Sequence, residues 1–229
     1  MNDYIAFSAY FGAALTLIIY VVSFRISDRI GHPLANPILI CLALLIGALL
    51  IFDIDYDAYN QSARYITYLL TPATACLALP LYRQIQKLRE YPLAIVAGIL
   101  TGVAVNALCV LAVALVFRLG HYDFVTLIPK SVTGAVGMPL AEELGGTGGI
   151  TMAAISITGI FGNILGPQVL RFHVTDPVAQ GVAMGCGSHA FGTVRALEMG
   201  EVEGAMGSLS LVITALLTVV IAPFLGNLI

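Results

Sequence analysis

Apolar runs separated by short polar stretches set the rhythm of the chain. Runs over residues 4–24, 37–52, 91–117, 150–170 and 205–225, with a further one from residue 65 through Pro72 and Pro80, approach or exceed the ~20 residues that cross a bilayer as a helix. The turn at 25–32 carries Arg25 and Arg29, 53–59 reads as an acidic, Tyr-rich loop, and 83–89 is basic and amphipathic. Asn36 followed by Pro37 is a helix-start signal. Two stretches break the pattern. Residues 128–139, IPKSVTGAVGMP, hold a proline near each end, two inner glycines and Lys130, and the glycine-rich 142–149 cannot continue a helix. Residues 184–204, MGCGSHAFGTVRALEMGEVEG, place Ser188, His189, Thr193, Arg195 and Glu198 among glycines between two apolar blocks.

Both broken stretches lie beside clean spans and share E-[LM]-G-x3-G, starting at Glu143 and Glu198, ten residues after Thr133 and Ser188. Read as re-entrant elements, 128–145 enters from one face and 184–200 from the other, so that two discontinuous helices meet at the midplane as in an inverted repeat. The expected fold is an all-α polytopic membrane protein of about 6–8 transmembrane segments, secondary-transporter-like. Residues 1–229 are expected to form a single membrane domain, with N-terminal helices in 1–120 and a substrate-site half in 121–229.

Composition agrees: 59% of the 229 residues are hydrophobic and 10% are charged, against about 25% charge in an ordinary soluble domain. A net charge of −3 gives no reason to expect nucleic acid. Placing the basic loops 25–32 and 83–89 in the cytoplasm puts the N-terminus outside. No cleavable signal peptide is expected, and a bacterial plasma membrane is the simplest location. The four cysteines and four histidines are scattered, so neither disulfide nor metal is expected, and no cofactor. A nucleophile elbow and a phosphate-binding loop with lysine are both absent from the sequence, which leaves enzyme chemistry unsupported.

Backbone leaving a helix inside hydrocarbon needs protein or a water-filled cavity around it. Freed amides at half-helix N-termini, with Lys130 beside them, suit an anion, and the planar fork of Arg195 suits a carboxylate. The candidate substrate-binding set is Lys130, Ser131, Thr133, Ser188, His189, Thr193 and Arg195. His189, Glu198 and Glu143 are candidates for proton coupling, with Asn163, Thr71 and Thr74 as secondary positions. Each has a plainer reading. Lys130 can snorkel to the interface, Arg195 can pair with Glu198 at i, i+3, Asn163 can join helices, and Glu143 can cap one.

The blocks LIPKSVT (127–133) and GVAMGCGSHAFGTVRALEMGEVEGA (181–205), with LTPATACLALPLY (70–82), resemble the LrgB/CidB family over nearly the whole chain. Gly134-Ala-Val-Gly stands where that family usually has a second Thr-Pro. The resemblance implies two competing functions. One is a holin/antiholin-like role in controlling murein hydrolases and lysis, with a small LrgA/CidA-type membrane partner. The other is transport of glycolate, glycerate or pyruvate, by a chain acting as a homo-oligomer or a hetero-oligomer. The cations and His189 on broken helices favour transport.

Overall fold

A computed structural model describes residues 10–31, 35–69, 72, 75–76, 78–83 and 85–229. Helices and their connections account for the described residues, and four helices there are long and apolar enough to cross a membrane: Phe11–Ile30, Pro92–Phe117, Gly148–His173 and Glu201–Gly226. Pro37–Ile51 is a shorter apolar helix. Large side chains such as Leu93, Val116 and Phe224 point outward from these helices, as suits a hydrocarbon solvent rather than water. The chain divides into two compact units, Met1–Cys76 and Leu77–Ile229.

In the first unit, α1 (Phe11–Ile30) packs against α2 (Pro37–Ile51) and α3 (Tyr56–Thr67). The apolar run at 4–24 predicts an end at Phe24, but α1 continues through Arg25 and Arg29 to a left-handed Gly31 cap, whose amide bonds Ser27 O. Arginine is a good helix former and these side chains are exposed, so nothing stops the helix before glycine does. Asn36 caps α2, its side chain accepting from the Ile38 amide at 2.8 Å. The region read as a loop running into a third span is instead an amphipathic helix, α3, that buries Ala58, Tyr59 and Ser62. Gly12 meets it closely, donating its amide to Ser62 Oγ at 2.8 Å. Thr71 and Thr74 lie outside the described residues.

The second unit opens with two short helices, α4 (Ala78–Arg83) and α5 (Ile85–Glu90), and then the long α6 (Pro92–Phe117). Two similar motifs follow. In the first, α7 (His121–Leu127) and a 3-10 turn (Ile128–Ser131) lead to extended backbone at Val132 and Thr133, and α8 (Gly134–Glu143) returns. Gly137 on the return arm comes up against Pro129 O and Val132, so the two arms form a hairpin. The span α9 (Gly148–His173) follows after Gly145, whose φ of 89° closes the connection. The second motif is α10 (Pro177–Met199) followed by α11 (Glu201–Gly226). α10 is broken at Ser188 and His189, where φ reaches −132° and 41°.

That break reverses the chain. Gly181 and Gly185 on the outgoing arm lie beside Glu203 and Gly207 of α11, and Thr214 donates to Cys186 Sγ at 3.2 Å, so this arm runs parallel to α11. On the returning arm Thr193 meets Gly207 and Leu197 meets Gly204, so it runs antiparallel. The first motif repeats this layout. The Tyr122 hydroxyl pairs with the Thr147 hydroxyl, and one turn on the Thr126 carbonyl accepts from Thr151 Oγ1 at 2.8 Å, so the outgoing arm runs parallel to α9. Because α9 crosses between the two hairpins, they enter from opposite faces. The two motifs are therefore related as in the inverted repeat expected from the sequence, and Thr133 and Ser188 each stand at a break. The hairpins are longer than the broken stretches that predict them, starting at His121 and Pro177, because their outgoing arms are regular helix with no sequence irregularity.

α6 belongs to this second unit and packs against both hairpins. Gly98 and Gly102 let α10 approach: a β-carbon at Gly102 would stand 3.1 Å from Cys186 Cβ. One core joins α6, α10 and α11 through Ile95, Ile99, Val182 and Met206. Another joins α6, α7 and α11 through Val110, Phe124, Ile128 and Ala222.

Candidate functional site

A half-enclosed cavity of about 720 Å³ lies between α6 and the outgoing arm of α10. Tyr91 and Asp176, at the starts of those two helices, line one end. Asn106, Cys109, Lys130 and Ser131 line the other, near the middle of α6 and at the tip of the first hairpin. A 26-residue helix is ~39 Å long, so the Lys130 end sits at mid-depth of the span. Between the ends the wall is mostly small and apolar, including Gly98, Gly102, Val182 and Ala183.

The polar end is a compact cluster. Lys130 Nζ donates to Asn106 Oδ1 at 2.7 Å and to Ser131 Oγ at 3.2 Å, and Ser131 Oγ donates to Asn106 Oδ1 at 2.8 Å. An ammonium has three protons, and two are accounted for. Among the described residues no carboxylate pairs with Lys130. An uncompensated cation inside a membrane is costly and marks a functional position by default. Here the Asn106 carbonyl dipole holds the charge without neutralising it, which leaves an anion-accepting group in the cavity wall.

Beyond Asn106 a pocket of only about 10 Å³ lies among Val103, Val110, Phe124, Ile128, Thr218, Ile221 and Leu225. Asn106 lines both spaces. One side of this residue is roomy and the other is closed by apolar side chains.

The tip of the second hairpin rests on the middle of α9. His189 is 1% exposed, and its Nε2 donates to Ile155 O at 2.9 Å. With the proton on Nε2, a neutral ring presents Nδ1 as an acceptor, and Nδ1 is buried with no partner among the described residues. Phe191 stacks edge-on against the ring at 5.6 Å. Thr193 Oγ1 donates to His189 O at 2.9 Å and Gly207 O at 3.2 Å, and Asn163 Nδ2 donates to Phe191 O at 2.9 Å. These side chains satisfy carbonyls around the break, which lipid could not do. Ser188 is buried against Gly162, where a β-carbon would overlap its hydroxyl. Replacing Asn163 with Leu should strand the Phe191 carbonyl and cost about 1–3 kcal/mol, read as a lower melting temperature of the purified protein.

Of the seven expected binding residues, Lys130 and Ser131 line the cavity together. Thr133 is the half-buried N-cap residue of α8. Ser188, His189 and Thr193 form the tip of the second hairpin and are not among the cavity-lining residues. Arg195 is at the surface, its side chain 43% exposed, paired with Glu198 at 2.5 Å. That is the i, i+3 pairing weighed above as its plainer reading, and it removes Arg195 from the cavity. Glu143 is exposed at the C-terminal end of α8. Sequence reasoning missed Asn106, although an amide inside a 26-residue apolar helix was a signal of its own.

A model of the LrgB-like family matches residues 16–228. The holin-like protein CidB of Staphylococcus epidermidis is 38% identical over 226 residues, 98% of each chain. Its namesake in Staphylococcus aureus matches at the same identity and coverage. The Bacillus subtilis protein YwbG is 31% identical over 212 residues, 92% of this chain and 94% of its own. No solved structure matches. With a family match from residue 16 to residue 228, over apolar spans and paired hairpins, the chain belongs to the LrgB-like family of membrane proteins.

Proposed function

We propose that this chain carries small monocarboxylates of the pyruvate, glycolate and glycerate type across the bacterial plasma membrane by alternating access. The observation behind this reading is Lys130, a cation with no acid partner among the described residues, at the mid-depth end of a half-enclosed cavity. A single cation favours one carboxylate over two. The return arms of both hairpins begin at their tips, so their positive dipole ends add to the field at mid-depth. At about 720 Å³ the cavity is much larger than such a solute, which suits a vestibule with a binding end. The positive-inside rule would turn the Tyr91–Asp176 end, beside Arg89, Arg171 and His173, toward the cytoplasm. An LrgA/CidA-like membrane protein is the proposed partner.

A second reading has direct support from the relatives, whose name is holin-like. On that reading the chain governs murein hydrolase activity and lysis, and the comparisons favour it over any specific substrate. The two differ in what crosses the membrane. Vesicles holding this chain, with and without an LrgA-like partner, should take up labelled pyruvate or glycolate saturably and retain an entrapped dye. Dye release without saturable uptake would favour the holin-like role.

A further inference from the structure

We infer that Asn106 is a substrate-binding residue, whose amide N–H groups read an oxygen adjacent to the carboxylate held by Lys130. The inference rests on the carrier reading and adds a residue and a chemical requirement to it. Asparagine oxygen and nitrogen are distinguished by their partners, and here the assignment is forced. Lys130 Nζ, which can only donate, lies 2.7 Å from Oδ1, and the Ser131 hydroxyl, already an acceptor from Lys130, also donates to Oδ1. Nδ2 is therefore the other terminal atom. It makes no hydrogen bond among the described residues, while Asn106 lines the cavity.

A side-chain NH₂ with two unused donors beside an ammonium with one presents donors only. Its complement is a ligand that offers an acceptor to each, a carboxylate with a second oxygen on the neighbouring carbon. The ammonium takes the charge and the amide, one hydrogen bond away, takes the second oxygen. Asn106 also borders the small closed pocket on the other side of the cluster.

Cys109 gives a binding readout that needs no transport. It is exposed, lines the same cavity and lies one helical turn from Asn106. With Cys109 as the sole cysteine in the full-length protein, its alkylation by a neutral maleimide is followed against increasing pyruvate or acetate. Acetate lacks the second oxygen. Both acids should slow alkylation, pyruvate at about 10-fold lower concentration, a factor typical of one hydrogen bond near a charge. Asn106→Ala should abolish that preference by weakening pyruvate while leaving acetate nearly unchanged. Asn106→Asp, which keeps the shape and the contact with Lys130, should remove protection by either acid.

If Asn106→Ala weakens both acids equally, the residue only positions Lys130 and the inference is overturned. If Lys130→Met abolishes protection but Asn106→Ala keeps the pyruvate preference, the anion site stands and the role of Asn106 falls. If no acid protects the parent protein, site and inference fall together.

Discussion

Lys130→Met abolishes saturable pyruvate uptake, raising the half-saturating concentration by at least about 100-fold, equivalent to roughly 3 kcal/mol of lost interaction with a desolvated charge. The protein still inserts and stays monodisperse. Methionine fills similar volume without charge, and Ser131 keeps its 2.8 Å bond to Asn106. Removing an uncompensated cation costs the fold little, so the loss falls on binding. Uptake into vesicles alongside size-exclusion chromatography of the variant checks both halves. Uptake at the parental level would remove Lys130 from the site.

Gly192→Ala has the second largest effect, and it strikes the fold first. A β-carbon there would run into the carbonyl oxygen of Met184 and crowd the β-carbon of Ser188 on the opposite arm of α10. Backbone cannot yield as a side-chain tip does, so the arms must part and the tip must leave its seat on α9. Overpacking of this kind costs about 1–3 kcal/mol, a fall in melting temperature of roughly 5 °C for a chain this size. Gly187→Ala provides the contrast. It lies in the outgoing arm of the same hairpin and a β-carbon there meets nothing within 4 Å. Its melting temperature should be unchanged or slightly raised, since glycine in a helix is costly. Thermal unfolding of the two variants side by side tests whether α10 is a closely packed hairpin.

The hairpins were legible because their breaks need residues that hydrocarbon tolerates badly. Pro129 with Lys130 marks one tip, and Ser188 with His189 among glycines marks the other. The E-[LM]-G repeat also proved structural: Glu143 ends the return arm of the first hairpin, and Glu198 lies one residue from the end of the second. The outgoing arms left no mark because a regular apolar helix looks the same whether it crosses or turns back. The tyrosines and aspartate of α3 read as a loop, while its buried face, Ala58, Tyr59 and Ser62, recurs at helical spacing.

The candidate site was half legible for a related reason. Lys130 and Ser131 were visible as polar groups in apolar surroundings, but which helix would face them depended on long-range packing. Asn106 is 24 residues away from Lys130 and reaches it only because α6 lies against the first hairpin. Thr193 reads as a ligand hydroxyl and Asn163 more readily as an amide joining helices, and the structure uses both donors on carbonyls around the break. Arg195 looked like an anchor for a carboxylate, and it found one in Glu198.

Counterflow tests the central claim most directly. Vesicles holding the full-length chain, with an LrgA-like partner if uptake requires one, are loaded with concentrated unlabelled pyruvate and diluted into a trace of labelled pyruvate. A carrier that alternates its site between faces must pass labelled solute inward while unlabelled solute occupies the site inside. The label then rises transiently above its equilibrium level and decays, and Lys130→Met shows no overshoot. A label that climbs only to equilibrium, together with release of an entrapped dye, would mean an open pore and contradict the account.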